Sequence, residues 1–99
     1  MAIPRKLLSL IKGKVPHDVR ADSGTAYLIT FKDGWKLRID TAKESRLPIT
    51  MESAISHIDQ TNNVFAITYE NKVTDTMTLA DPASSILVRD ETNTLQYTD

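Results

Sequence analysis

Across residues 25–40, apolar and polar side chains alternate in two runs, and only one connection keeps both apolar rows on one face. Tyr27, Ile29 and Phe31 alternate with Leu28, Thr30 and Lys32, then Trp35, Leu37 and Ile39 alternate with Lys36 and Arg38. Successive strand side chains point to opposite faces, so a one-residue slip in pairing exchanges the faces. A two-residue Asp33-Gly34 turn would set Lys32 opposite Trp35 and Thr30 opposite Leu37. A three-residue Lys32-Asp33-Gly34 loop instead pairs Phe31 with Trp35, Ile29 with Leu37 and Tyr27 with Ile39. It also places Gly34 at the left-handed position that such a loop requires. The sequence therefore predicts this hairpin, with its aromatic residues inward and Thr30, Lys36 and Arg38 outward.

The rest of the chain is read around it. Leu7, Leu8, Leu10 and Ile11 form one helical stripe, with Pro4 near its start and Gly13 as its stop. Residues 14–24, with Pro16, two aspartates and Ser23-Gly24, read as a connection with a short turn around His17 to Arg20, and residues 43–48 as a polar linker. Thr50 can cap a second helix whose Met51, Ala54, Ile55 and Ile58 fall at i, i+3, i+4 and i+7, ended by Asn62-Asn63.

A second hairpin turns at Glu70-Asn71-Lys72, with Phe65, Ile67 and Tyr69 inward and a return through Val73, Met77 and Leu79. Asp75 interrupts the inner row, which predicts a bulge or frayed edge. Asp81-Pro82 then breaks the strand. A third hairpin pairs Ile86 with Tyr97 and Val88 with Leu95 across Asp90-Glu91-Thr92-Asn93. The expected fold is α+β: an antiparallel sheet of about six strands, in the order αββ-αββ-ββ, with two helices packed on one face. Residues 26–34 and 64–72 also look alike at a spacing of 38, which two amphipathic hairpins can do by pattern alone.

Length and composition bound the class. A chain of 99 residues reads as a single domain, 1–99, and buries roughly 60–70% of its unfolded surface on folding. Leu, Ile, Val and Phe number 25 and the net charge is −1, so the chain folds rather than staying disordered. The absence of cysteine excludes disulfides, thiolate metal sites and a cysteine nucleophile, and suits a reducing compartment. The apolar run from Leu7 to Ile11 is too short for a signal peptide or a span, so the expectation is a cytoplasmic protein without membrane contact.

No constellation with catalytic chemistry stands out. His17-Asp18 is a lone pair lacking the further histidine and aspartate ligands that a metal phosphohydrolase needs, and only His57 remains. No serine lies in a Gly-x-Ser-x-Gly elbow, and Gly13, Gly24 and Gly34 build no phosphate-cradling loop. The expectation is a non-enzyme without cofactor or metal.

Charge is unevenly divided. Residues 1–46 carry ten Lys and Arg against five Asp and Glu, whereas residues 47–99 carry two against eight. Lys32, Lys36 and Arg38 on the first hairpin, with Lys12 and Lys14, are the candidate basic binding face. The other candidate is the threonine-rich face of the second hairpin, formed by Thr68, Thr74, Thr76 and Thr78. No aromatic residue remains on the basic face to stack a base, so nucleic acid finds an electrostatic footprint without a reader. The leading expectation is a small non-catalytic protein-binding module (an inhibitor, adaptor or assembly subunit) whose protein partner is acidic. In architecture this resembles accessory proteins that phages and mobile elements encode. The alternative is a nucleic-acid-binding accessory protein that uses the basic hairpin. Self-association between basic and acidic halves would give a homo-oligomer.

Overall fold

Strands build nearly all of this chain, and the expected arrangement of two helices on a six-stranded sheet is not found. A computed structural model describes residues 5–22, 25–42, 49–81 and 85–98. One helix, α1 (Arg5–Ile11), precedes eight strands: β1 (Pro16–Ala21), β2 (Ala26–Phe31), β3 (Lys36–Asp40), β4 (Ile55–Thr61), β5 (Val64–Tyr69), β6 (Thr74–Thr78), β7 (Ile86–Arg89) and β8 (Leu95–Thr98). They form a five-stranded sheet, β1-β2-β3-β7-β8, and a three-stranded sheet, β4-β5-β6, in which every pair of neighbours is antiparallel. The expected features at Pro4, Ser23-Gly24, residues 43–48 and Pro82 lie outside the described residues.

The expected second helix is strand β4, and a bulge explains the misreading. Pairing with β5 shifts between Ile55 and His57, so Ser56 is an extra residue in β4. That extra residue carries Ile55 and Ile58, three apart, onto the same inner face, where both are fully buried. A separation of three imitates a helical stripe. The supposed connection hides strand β1 in the same way. Its pairing with β2 shifts between Pro16 and Asp18, so Pro16 and Val19 both turn toward the core.

The first hairpin has the predicted register, with Ile29 opposite Leu37 and Tyr27 opposite Ile39. The Phe31 N–H donates to the Trp35 carbonyl across the three-residue loop, and Gly34 has φ +93°. Trp35 is half-buried at the rim rather than fully inside, and Lys14 lies 4.1 Å from its ring centre. The second hairpin uses the same loop: the Tyr69 N–H donates to the Val73 carbonyl, and Lys72 has φ +74°. No bulge forms at Asp75, because β5 and β6 pair without a shift from Val64 opposite Thr78 to Thr68 opposite Thr74. Val73 is exposed and takes no part in the inner row.

The third hairpin repeats the loop again, with the Asp90 N–H donating to the Thr94 carbonyl and Asn93 at φ +70°. Its register differs from expectation. Val88 pairs with Tyr97 and Arg89 with Leu95, with a shift between them that leaves Leu95 exposed.

These shared loops give a prediction. Gly34→Ala should cost about 1–2 kcal/mol, because an L-residue there is strained. A Cβ at Gly34 would also lie 3.1 Å from that of Glu91. Lys72→Gly should instead gain up to about 1 kcal/mol, as glycine accepts a left-handed turn without strain. Urea denaturation of both variants checks the pair, and equal effects would contradict the shared geometry.

The two three-stranded units β1–β3 and β4–β6 are one arrangement used twice. The Gly13 N–H donates to the Ile55 carbonyl, and the Glu52 N–H donates to the Pro16 carbonyl. A shift of 39 carries Gly13 to Glu52 and Pro16 to Ile55, so the two bonds exchange ends. Gly13 and Glu52 also share positive φ, at +84° and +63°. At the other seam Thr41 pairs with Leu79, while Ala42 donates to Thr78 and Ala80 donates to Asp40. A shift of 38 carries Ala42 to Ala80 and Asp40 to Thr78, so these bonds are reciprocal, as a local two-fold relation requires. The resemblance at a spacing of 38 is structural as well as patterned.

A single core fills the space between the sheets: Tyr27, Ile29, Phe31, Leu37 and Ile39 from one unit, Ile55, Ile58, Phe65, Ile67, Tyr69 and Met77 from the other, with Ile86 and Val88 of β7. Helix α1 adds Leu7 and Ile11, one turn apart on one face, and both are fully buried. Leu8 and Leu10 pack at the margin of this core.

Candidate functional site

Antiparallel pairing aligns the outward residues of the five-stranded sheet into cross-strand rows. Arg20, Leu28, Arg38, Leu87 and Thr98 form one row, and Asp18, Thr30, Lys36, Arg89 and Leu95 form the next. The face so built carries four cations around two half-buried leucines, Leu28 and Leu87. Two shallow depressions adjoin on it and share Leu28 and Lys36. One, of about 380 Å³, is bounded by Arg38, Leu87 and Arg89, and the other by His17, Asp18, Arg20 and Thr30.

Carboxylates on this same face already hold two of the cations. The Arg20 Nε donates to Asp18 Oδ2 at 2.7 Å, and the Arg38 Nε donates to Asp22 Oδ2 at 2.6 Å. Among the described residues Lys36 and Arg89 have no carboxylate partner. They are direct neighbours across β3 and β7. The Arg89 Nη1 donates to the carbonyl of Asn93, which steadies the guanidinium beside the depression.

The five cations singled out from the sequence divide between two places. Lys36 and Arg38 share the outer face. Lys12, Lys14 and Lys32 gather at the loop of the hairpin, around a depression bounded by Gly13, Val15 and Asp33. There Lys14 is ion-paired with Asp33, and Lys32 reaches Glu52 Oε1 at 2.6 Å. His17 Nδ1 stands 3.5 Å from the other oxygen of Glu52. Burial raises the Asp33 carboxyl, but the hydrogen bonds from Lys14 and the Trp35 N–H outweigh it and hold the group below its ordinary value. Chiefly the hydrogen bond from Lys32 lowers Glu52. This end of the molecule is therefore a set of ion pairs that tie the β2–β3 loop to the segments before β1 and β4.

Arg20, Leu87 and Arg89 were not among the sequence candidates. Arg20 falls in the segment read as a connection, and Arg89 joins the face only through the pairing of β7 with β3, which no local pattern announces. The neighbouring Asp90 serves the β7–β8 loop. The Thr92 hydroxyl (2.7 Å), the Thr94 N–H (3.0 Å) and the Gln96 amide (2.8 Å) all donate to it, and they hold its carboxyl down at about 2.

On the three-stranded sheet, the rows His57-Thr68-Thr74, Asp59-Ala66-Thr76 and Thr61-Val64-Thr78 face outward. The threonine-rich face is thus a feature of the structure. It occupies the place in its unit that the cationic face occupies in the other, and it lacks the paired cations.

Among the described residues no three His, Cys, Asp or Glu side chains gather as a metal site, and no helix is long and apolar enough to cross a membrane. No family model matches the chain, and no curated protein or solved structure matches it at a significant level.

Proposed function

We propose that this chain is a non-catalytic protein-binding module that presents the outer face of its five-stranded sheet to an acidic protein surface. The observation that carries the reading is the pair Lys36 and Arg89, which have no carboxylate partner among the described residues, beside half-buried Leu28 and Leu87. Charge supplies steering and register, while the apolar centre supplies area removed from water. Asp18 and Asp22, docked on neighbouring arginines, support a surface suited to carboxylates. Nucleic acid is the weaker reading. Duplex binding draws on several phosphate contacts, and among the described residues this face offers two cations without a carboxylate partner and no aromatic platform.

The double variant Lys36→Glu, Arg89→Glu tests the proposal. The parent chain, used as bait in cells of its source, is expected to retain a protein partner after nuclease treatment, and the double variant to lose it. The folded state should change little, since exposed charges seldom contribute more than about 1 kcal/mol. Recovery abolished by nuclease, or retained by the double variant, would reject the reading.

A further inference from the structure

Resting on that reading of the face, we infer that the segment it takes is extended and carries an acidic side chain two residues from an apolar one. The argument is one of spacing. Lys36 and Arg89 lie side by side in one cross-strand row, and Arg38 and Leu87 lie side by side in the next. Rows on one face of a sheet are two residues apart along the strand, roughly 6.6–6.8 Å. Alternate side chains of an extended peptide repeat at the same distance. A peptide lying along β3 and β7 therefore sets a carboxylate between Lys36 and Arg89 and its second neighbour over Leu87.

Arg38 is already neutralised at that second position. Its guanidinium is paired with Asp22 at 2.6 Å, and the two line the depression beside Leu87 as an ion pair. The depression is lined by Leu28, Lys36, Arg38, Leu87 and Arg89, with Asp22 and Asn93 at its margin, and so spans both rows. Arg89 is held by the Asn93 carbonyl at one nitrogen, so its remaining donors meet the carboxylate without a large loss of freedom. A helical ligand fits this grid less well, because its side chains on one face recur three or four residues apart. A phosphate group would satisfy the two cations but leave Leu87 uncovered.

Three end-blocked pentapeptides test the inference against the intact, isotope-labelled protein, read by amide chemical shifts. The first is Ser-Glu-Thr-Leu-Ser, the second has glutamine for glutamate, and the third, Ser-Thr-Glu-Leu-Ser, sets the acid beside the leucine. The first is expected to shift Leu28, Lys36, Leu87 and Arg89 saturably and to bind about tenfold more tightly than either control, the worth of about one charge-assisted hydrogen bond. Arg89→Gln, which removes the charge and whose amide spectrum is checked against the parent's, should erase the preference for glutamate over glutamine. Equal binding of the first and third peptides at this face would overturn the spacing and leave the face standing as a docking surface. Shifts elsewhere, or none that saturate, would overturn the site itself.

Discussion

Replacing Ile58 with aspartate is expected to abolish the folded state, whereas the same change at the adjacent His57 should cost less than about 0.5 kcal/mol. Ile58 is fully buried between the sheets and His57 is exposed on the outer face of β4. Removing a buried isoleucine side chain costs about 2–5 kcal/mol, and an unpaired buried carboxylate adds several more. A domain of this size holds only about 5–15 kcal/mol against unfolding, so the sum reaches the whole of it. Loss of amide dispersion in Ile58→Asp, with a parent-like spectrum for His57→Asp, is the expected pair of results. A well-folded Ile58→Asp protein would contradict the placement of β4 and its bulge.

The first two hairpins are legible because each carries its register in its own loop. The third is not, because its loop is three residues, Glu91 to Asn93, rather than four. Phe31 and Trp35 flank three residues of which the last is Gly34, and parity then fixes every partner along β2 and β3. The sequence misled where an extra residue broke parity. At Ser56 and at His17 a bulge puts buried residues three apart, which a helix also does. In β8 the pairing shift between Val88 and Arg89 turned Leu95 out of the core. What separates a bulged strand from a helix is the neighbour that pairs with it, and β5 and β2 are distant from that decision in a local window. The candidate face was legible only in part. Lys36 and Arg38 follow from the first hairpin, but the partners that neutralise Arg38 and Arg20 come from β1 and the residue after it. Formal charge in the first half therefore overstated the free positive charge of the face.

The repeated unit gives this face a built-in comparison. The positions of Lys36 and Arg38 in β3 correspond to Thr74 and Thr76 in β6, and Leu28 of β2 corresponds to Ala66 of β5. The backbone bonds are matched, so the contrast between the faces is one of side chains. In the five-stranded sheet β7 pairs with β3 and brings Leu87 and Arg89 beside Arg38 and Lys36. The three-stranded sheet carries no such strand beside β6 among the described residues. The third hairpin thus has two roles: Ile86 and Val88 complete the core beneath β3, and Leu87 and Arg89 complete the surface above it.

Stability above pH of about 10 is expected to fall more steeply in the parent than in Tyr69→Phe. Tyr69 is 1% exposed, and burial, reinforced by the negative charge of Asp75, pushes its phenol well above the ordinary value of about 10. The sign follows from which state releases the proton first. In the unfolded chain Tyr69 ionises as pH passes about 10, while the folded protein keeps the proton, so rising pH favours unfolding. The contribution is fully present below that pH and is lost progressively above it. Phenylalanine has no proton to lose, and this part of the alkaline decline should vanish with the hydroxyl. Asp75 is held in place by the Thr50 N–H at 2.6 Å and the Thr50 hydroxyl at 3.1 Å. Asp75→Ala should therefore cost about 1–3 kcal/mol near neutral pH by leaving those donors without their acceptor. It should also end the alkaline decline at a lower pH, without abolishing it, because burial of the phenol remains. Urea denaturation of the three proteins at neutral pH and above pH of about 10 measures both effects, and parallel alkaline slopes for the parent and Tyr69→Phe would contradict the coupling of Tyr69 ionisation to folding.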